Sequence, residues 1–157
     1  MEAARLAPSA SNSQPWRFVV VDDPNRAPQV ATCLQDGGIN RFTENCPAFV
    51  VVIEGSQTLT ASVSGTLKDQ KYAAIDLGIA ASHLILAATS QGLATCALGW
   101  FNERKLKILL GIPKILRIRL VIAVGYAAEN DPTHAKSRKS MEEIVSYNHY
   151  NGFLLHM

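Results

Sequence analysis

The feature that most constrains the fold is a long apolar segment with a helical pattern, Lys68 to Gln91. Between Ala73 and Ala88 it is apolar on nearly all sides, with small residues interleaved among larger aliphatic ones. Such a helix is expected at the centre of a domain or against a partner chain, because an outer helix keeps one polar face. Gly92 is expected to end the helix, since glycine readily adopts the left-handed conformation that follows helix C termini.

Two polar side chains interrupt this apolar helix. Asp76 lies in its first half, and a carboxylate in apolar surroundings needs a partner, which can be a ligand or a basic side chain. His83 is interpreted as a hydrogen-bonded histidine of the core or of an interface, rather than as a catalytic base. The four histidines of the chain show no metal-ligand spacing, so no metal site is predicted.

Runs of β-branched and other apolar residues predict four strands. They are Arg17 to Val21, Ala48 to Glu54, Leu93 to Leu98 and Arg119 to Tyr126. Ala48 to Glu54 is apolar on both faces, which is typical of a central strand, and Leu93 to Leu98 is predicted to be short and buried. Strands and helices mix without strict β-α-β alternation, which favours an α+β fold or a loosely alternating α/β layer.

Shorter helical patterns are predicted at Met1 to Ala7, Asn25 to Leu34 and Glu103 to Leu110. Asn102 is the expected N-cap of the last of these, because its side chain can accept a hydrogen bond from the first helical turn. Ser140 to Glu143 has the capping-box sequence that begins a short final helix. Gly55 to Gly65 is rich in Ser and Thr and is predicted to be an exposed loop.

Length and composition predict a single domain, residues 1–157, with a sizeable core. The charged fraction is 18% and the formal net charge is +2, so no nucleic-acid partner is expected. No apolar stretch approaches the roughly 20 residues of a membrane span, and no signal peptide is apparent. Cys33, Cys46 and Cys96 are interpreted as reduced, buried thiols. We therefore expect a cytoplasmic protein that does not bind membranes.

The run from Pro8 to Trp16, P-S-A-S-N-S-Q-P-W, is the most unusual loop sequence of the chain. Its prolines disfavour both helix interior and central strand. Ser9, Asn12 and Gln14 offer donors and acceptors on a short backbone, so the run could bind a polar small molecule. The alternative is an ordinary polar connector between a helix and a strand.

Lys136 and Arg138 form a second candidate binding motif. In an extended segment their i, i+2 spacing places both cations on the same side of the chain. Two converging cations suit a phosphate, and arginine can add bidentate hydrogen bonds. The alternative is a solvated basic turn at the surface.

No G-x-G-x-x-G, P-loop or G-x-S-x-G motif is present. Other motifs do occur, in the order A-R-x-A-P-S-A-S-N-S-Q-P-W-R-F-V-V-V, D-L-G-I-A-A-S-H-L-I-L-A-A, Q-G-L-A-T-C-A-L-G-W-F, L-x-x-L-L-G-I-P and K-S-R-K-S-M-E-E-I-V. Through these motifs the chain resembles the FMN-dependent nitroreductase family, from its first residue to about Asn148. The resemblance implies an α+β fold, a nitroreductase-like α/β/α sandwich with a mostly antiparallel central sheet, in an intertwined homodimer with FMN at the subunit interface.

The resemblance also implies roles for individual residues. The family's P-S-x-x-N loop reaches the flavin of the other subunit, and the segment after the third strand lies against the flavin ring. The K-x-R pair would hold the phosphate, and two further polar positions would lie near the ring and the ribityl chain. The residues implied to bind FMN are Pro8, Ser9, Ala10, Asn12, Gln14, Asn40, Asp76, Gly99, Trp100, Lys136 and Arg138.

The implied activity is hydride transfer from NADH or NADPH through flavin N5 to a nitroaromatic, a quinone or a similar electron-poor acceptor, by a ping-pong scheme. No catalytic side chain is required, because the flavin performs the chemistry. Family members carry a basic R-R-S-x-R type segment before the first helix, whereas this chain begins at Met1 inside the next helix, so weaker FMN binding is expected. The alternatives are a flavin-binding homodimer with little turnover and a protein of the same fold that serves only in protein interaction.

Overall fold

The computed structural model describes residues 1–129 and 136–150. They belong to two compact units, Met1–Ala127 and Ala128–Met157. The larger unit contains a four-stranded sheet with helices on both faces. The described part of the smaller unit contains one short helix, Met141–Ile144, which begins with the predicted capping box.

Four strands form the sheet, namely β1 (Trp16–Val21), β2 (Ala48–Glu54), β3 (Ala94–Leu98) and β4 (Arg117–Gly125). Their order is β1-β2-β4-β3, and all neighbouring strands are antiparallel. The four strand predictions are confirmed, and β2 has the predicted bounds. Its residues Phe49 to Ile53 are all buried, as expected of a central strand. In β3 only Leu98 is buried, so the predicted burial of this run is wrong. The strand lies at an edge of the sheet, where it has a neighbouring strand on one side only.

The helices are α1 (Glu2–Arg5), α2 (Ala27–Leu34), α3 (Leu59–Lys68), α4 (Tyr72–Thr89), α5 (Glu103–Leu110) and α6 (Met141–Ile144). The prediction for α5 is confirmed, including its N-cap, since the side chain of Asn102 accepts a hydrogen bond from the backbone of Lys105. α2 begins two residues after its predicted start at Asn25, with Pro28 in its first turn.

Helix α3 lies where an exposed loop was predicted, so that prediction is wrong. The segment is poor in strong helix formers, but Thr58 caps it by accepting a hydrogen bond from the backbone N–H of Ala61 at 3.3 Å. At its other end, Gly65 approaches the carbonyl of Gln70 so closely that a Cβ there would lie 2.7 Å from that oxygen. Capping and close packing therefore outweigh the weak helix propensity of this segment.

Two apolar layers cover the two faces of the sheet, because residues alternate between faces along each strand. On one face, α2 and α5 pack over residues that include Phe49, Val51 and Val121. On the other face, α4 and α1 pack over residues that include Val52 and Ile122. This helix-sheet-helix arrangement confirms the predicted α+β fold class.

Helix α4 is buried against the sheet on one side and exposed on the other. Asp76, Leu77, Ala80 and Leu84 are among its buried residues, whereas Leu86 is 70% exposed on the opposite side. The helix has 18 residues and a mean hydropathy of 1.4, enough by length and composition to cross a membrane. The expectation that no stretch approaches this length is therefore wrong. The same helix packs against three strands of the sheet, which is the usual place of a domain's central helix.

Candidate functional site

The loop that follows α1 has an uncommon backbone conformation. Ser11, Asn12 and Gln14 have φ angles of 50°, 50° and 46°, in the left-handed region that side chains other than glycine rarely adopt. Each such residue costs on the order of 1 kcal/mol or more, so the surrounding structure has to hold the loop in place. Sparsely populated backbone conformations of this kind concentrate at binding sites.

Hydrogen bonds within the loop and to its neighbours hold this conformation. The hydroxyl of Ser9 accepts a hydrogen bond from the backbone N–H of Gln14 at 2.9 Å, and Nε2 of Gln14 donates to Oδ1 of Asn12 at 3.0 Å. The hydroxyl of Ser13 accepts from the backbone N–H of Thr58 at 2.8 Å. Asn12 is exposed, and no described residue accepts a hydrogen bond from its Nδ2. The loop therefore presents one amide donor to its surroundings.

The buried carboxylate of Asp76 anchors the same loop. Its two oxygens lie 3.1 and 3.2 Å from the backbone nitrogen of Ala10, which donates to them. Among the described residues the partner is this backbone N–H and not a basic side chain, and contact with a ligand stays a prediction. The carboxylate is 3% exposed and is satisfied by a protein N–H, so Asp76 acts on the candidate site through the position of the loop.

A second cluster forms where the turn after α2 meets the turn after β3. Nδ2 of Asn40 donates to the carbonyls of Leu34 and Trp100, both at 3.1 Å. Nε1 of Trp100 donates to the carbonyl of Asp36 at 3.0 Å. The indole of Trp100 is thereby fixed at one edge while the residue remains 62% exposed. Asp36 was not among the predicted site residues. In the sequence, only the two glycines that follow it, Gly37 and Gly38, indicate a turn at this position.

The backbone around Gly99 is open. A Cβ placed on Gly99 would meet no atom within 4 Å, so another molecule can approach this backbone closely. The backbone N–H groups of Gly99 and Trp100 donate to no described acceptor. An exposed aromatic ring next to two unpartnered N–H groups fits a planar, polar ring system such as a flavin.

Hereafter, "loop cluster" denotes Pro8 to Gln14 with Asp76, and "tryptophan cluster" denotes Asn40, Gly99 and Trp100. β1 follows the loop cluster and the tryptophan cluster follows β3, so the two clusters adjoin opposite edge strands of the sheet. Three strand spacings separate these edges by about 14 Å. The loop cluster also lies on the α4 face and the tryptophan cluster on the α2 and α5 face. The two clusters are therefore separate within one chain.

The remaining predicted binding residues, Lys136 and Arg138, lie in the smaller unit and are exposed. Nη1 of Arg138 donates to the carbonyl of Ser137 at 2.7 Å. The surrounding backbone is neither helix nor strand, which is compatible with the expected extended segment. Their assignment to a phosphate stays a prediction.

Residues with other expected roles are also located. His83 is exposed, with Nδ1 2.9 Å from the carbonyl of Ile79, so its placement in the core of this chain is wrong. Cys33 is buried and Cys46 is partly buried, but Cys96 is exposed, contrary to prediction. Burial raises the pKa of Cys33, and partial burial together with the nearby Cys46 raises the pKa of Cys96, which disfavours reactive thiolates.

The fold and the two clusters define an α+β protein whose candidate site is built from loops at the sheet edges. Within residues 1–129 and 136–150, no group of His, Cys, Asp or Glu side chains could hold a metal ion. Residues 1–126 match the profile of the protein family described as "Nitroreductase family". The chain therefore belongs to the nitroreductase family, and the resemblance found in its sequence is confirmed.

Individual relatives agree with this assignment. The chain is 24% identical over 169 residues to iodotyrosine deiodinase 1 of Rattus norvegicus, and the match covers 92% of this chain and 59% of that protein. It is 27% identical over 173 residues to an NADH dehydrogenase of Thermus thermophilus, with 92% and 81% covered. The structure of an FMN-dependent nitroreductase from Clostridium difficile R20291 shares the fold, with a TM-score of 0.63, 24% identity, and 97% of this chain and 84% of that chain covered. The chain thus spans 59% of the length of the deiodinase.

Proposed function

We propose that this protein is an FMN-dependent NAD(P)H oxidoreductase whose two flavin sites are shared between the subunits of a homodimer. Family membership supports the flavin and the nicotinamide donor, because the similar proteins include an FMN-dependent nitroreductase and an NADH dehydrogenase. The observation that carries the shared site is the separation of the two clusters, which lie at opposite edges and on opposite faces of one sheet. A second copy of the chain could bring its loop cluster to the tryptophan cluster of the first.

The exposed side of α4 supports a second copy as the partner. Ile75 is 50% exposed and Leu86 is 70% exposed, and the small residues Gly78 and Ser82 lie exposed between them. These residues recur at helical spacing, so they form one stripe along the helix. Small residues allow two backbones to approach closely, and a large exposed apolar patch is typical of a protein interface. Homodimerisation through α4 would cover this stripe.

Several residues of the chain fit a bound FMN. The exposed indole of Trp100 and the free N–H groups beside it would contact the ring, and Nδ2 of Asn12 from the partner copy would offer one more donor. The assignment of Lys136 and Arg138 to the phosphate rests on the sequence resemblance alone. Once bound, FMN supplies the capacity to accept a hydride and pass it on. The protein itself would bind and orient the FMN ring and would exclude water from it.

The acceptor class is proposed to be electron-poor aromatic compounds, such as nitroaromatics or quinones. The deiodinase relatives add iodotyrosine as a further acceptor to be tested. The sequence left two alternatives, namely flavin binding without turnover and a protein that has only the fold. Cytoplasmic location also remains a proposal.

The deciding experiment is FMN binding followed by turnover. Purified protein is titrated with FMN while flavin fluorescence is recorded, and oxidation of NADH and NADPH is then followed with a nitroaromatic, a quinone or 3-iodotyrosine. We expect saturable quenching at one FMN per chain and acceptor-dependent NAD(P)H oxidation. Binding without turnover would favour the first alternative, and absence of FMN binding would contradict the proposal.

A further inference from the structure

Positive charge is dense in α5, in the turn that follows it and at the start of β4, where six of the 15 Lys and Arg residues of the chain lie. Residues 103–119 contain six cationic side chains and one acid, Glu103, which gives a net charge of +5, compared with +2 for the whole chain. The cations are Arg104, Lys105, Lys107, Lys114, Arg117 and Arg119. This segment adjoins neither the loop cluster nor the Lys136 and Arg138 motif in sequence.

The single acid of this segment is fully engaged. Glu103 pairs with Lys107 and with Arg117, both at 2.9 Å, and accepts a hydrogen bond from the backbone N–H of Ile118 at 3.0 Å. Burial acts to raise the pKa of Glu103, but the hydrogen bonds from Lys107 and Ile118 and the charge of Arg117 together hold it below its ordinary value. Glu103 therefore stays ionised at neutral pH, and its single negative charge is shared between Lys107 and Arg117.

Two of the remaining cations line a groove. The groove has a volume of about 700 Å³ and lies between α5 and the turn that follows it. Arg104 and Lys114 line it, next to the ion pair of Glu103 and Lys107. Neither Arg104 nor Lys114 makes an ion pair or a side-chain hydrogen bond with any residue in the described ranges. Ile108 and Pro113 add exposed apolar surface between them. Its volume is within the range of small-molecule sites.

We propose that this groove binds a nucleotide, with its phosphates on Arg104 and Lys114 and its base against Ile108 and Pro113. Arginine suits a phosphate because its guanidinium donates in a bidentate way, and the same planar group can stack on an aromatic ring. Lysine adds a point charge for a second phosphate oxygen. A ligand with charge at one end and a flat apolar body matches the mixed lining of the groove. This proposal does not require a flavin at the other site.

The test uses ADP, adenosine and inorganic phosphate, titrated by calorimetry into the full chain with and without saturating FMN. FMN is included because ADP could otherwise occupy a flavin phosphate site. We expect one ADP to bind per chain under both conditions. Adenosine and inorganic phosphate, each tested alone, should bind more weakly than ADP. Binding of ADP that disappears when FMN is present would overturn the proposal.

A charge-matched pair of variants locates the site. Arg104→Gln with Lys114→Gln removes both free cations of the groove, and Lys68→Gln with Lys105→Gln removes two exposed cations that do not line it. We expect the first variant to bind ADP about tenfold more weakly or worse, since two charge-assisted contacts are lost, and the second to bind like the unaltered protein.

Equal losses in both variants would show attraction by net charge only and would overturn the proposal. No ADP binding, combined with binding to anionic phospholipid vesicles or to DNA, would also overturn it in favour of an extended polyanion. Circular dichroism of both variants establishes that they are folded. The single substitution Arg104→Lys keeps the positive charge but loses the bidentate hydrogen-bond geometry. Partly weakened ADP binding by that variant would therefore further support a phosphate on Arg104.

Discussion

The carboxylate of Asp76, in the middle of the sequence, accepts a hydrogen bond from the backbone N–H of Ala10 with both of its oxygens, at 3.1 and 3.2 Å. This contact joins the central helix α4 to a loop in which three residues have left-handed backbone angles. A buried charge is costly unless it is hydrogen-bonded, so the pair is expected to hold the loop in one conformation. The loop can then present Asn12 in a fixed position.

Asp76→Ala tests this anchoring role. Because the substitution leaves the backbone N–H of Ala10 without its acceptor, we expect the free energy of unfolding to fall by about 1.5–3 kcal/mol. The measurement is urea unfolding followed by circular dichroism. Thr89→Ala, at an exposed position of the same helix outside the proposed interface stripe, is the control and should change this free energy by about 0.5 kcal/mol or less. An equally small effect of Asp76→Ala would show that the contact does not stabilise the loop.

Thr58 is expected to stabilise α3, a helix that the sequence pattern does not predict. Thr58→Ala removes the side-chain acceptor at the start of α3, so the free energy of unfolding should fall by about 1 kcal/mol. Thermal unfolding should shift downward by about 2–4 °C for a chain of this size. Thr58→Ser keeps the hydroxyl and should behave like the unaltered protein. If both substitutions had the same effect, the cap would not be responsible.

The strands could be predicted from the sequence, whereas α3 and the partner of Asp76 could not. β2 is predicted to its last residue because a run such as A-F-V-V-V-I-E favours a strand locally and without help from other segments. α3 depends on its cap and on the close approach of Gly65 to Gln70, which are properties of the folded chain. The hydrogen bond between Ala10 and Asp76 joins residues 66 positions apart, and no local pattern encodes it.

The sequence yields candidate residues for the site, but it does not indicate how the folded chain arranges them. Asn40 and Trp100 are 60 positions apart in sequence and form a hydrogen bond in the structure. The loop cluster belongs to the other edge of the sheet because of the strand order β1-β2-β4-β3. Strand order depends on which edges pair in three dimensions, and this choice leaves little trace in the composition of single strands.

Glu103 should make the stability of the protein depend on pH. Its pKa is below the ordinary glutamate value of 4.5 in the folded chain, so its contribution to stability is present above that value and is lost as pH falls through the lower folded value. Glu103→Gln should therefore be less stable than the unaltered protein at neutral pH, and the difference should shrink in acid. Urea unfolding at neutral pH and well below pH 4.5 measures this. A difference that is independent of pH would contradict the role of the ionised carboxylate.

Leu86 should contribute to the proposed homodimer. Leu86→Arg places a charge on the exposed stripe of α4, and burying an unpaired charge in an interface is strongly unfavourable. We expect the variant to sediment as a monomer at concentrations at which the unaltered protein is a dimer, and to bind FMN weakly. Ile115→Arg, at a residue that is 89% exposed on the α5 to β4 segment, is the control and should remain dimeric. A dimeric Leu86→Arg variant would exclude this face of α4 as the interface.

Complementation between two impaired variants tests whether each site uses residues of both subunits. Asn12→Ala impairs the loop cluster and Trp100→Ala the tryptophan cluster, so each variant alone should bind FMN weakly. In a mixed dimer with shared sites, the intact loop cluster of one subunit meets the intact tryptophan cluster of the other, which restores one of the two sites. We therefore expect tight FMN binding to reappear when the variants are unfolded together and refolded as a mixture. If each site belonged to a single chain, every site would keep one substitution and mixing would restore nothing. Asn12→Ala refolded with the Asn12→Ala, Trp100→Ala double variant is the control, because no combination of its subunits contains an intact loop cluster.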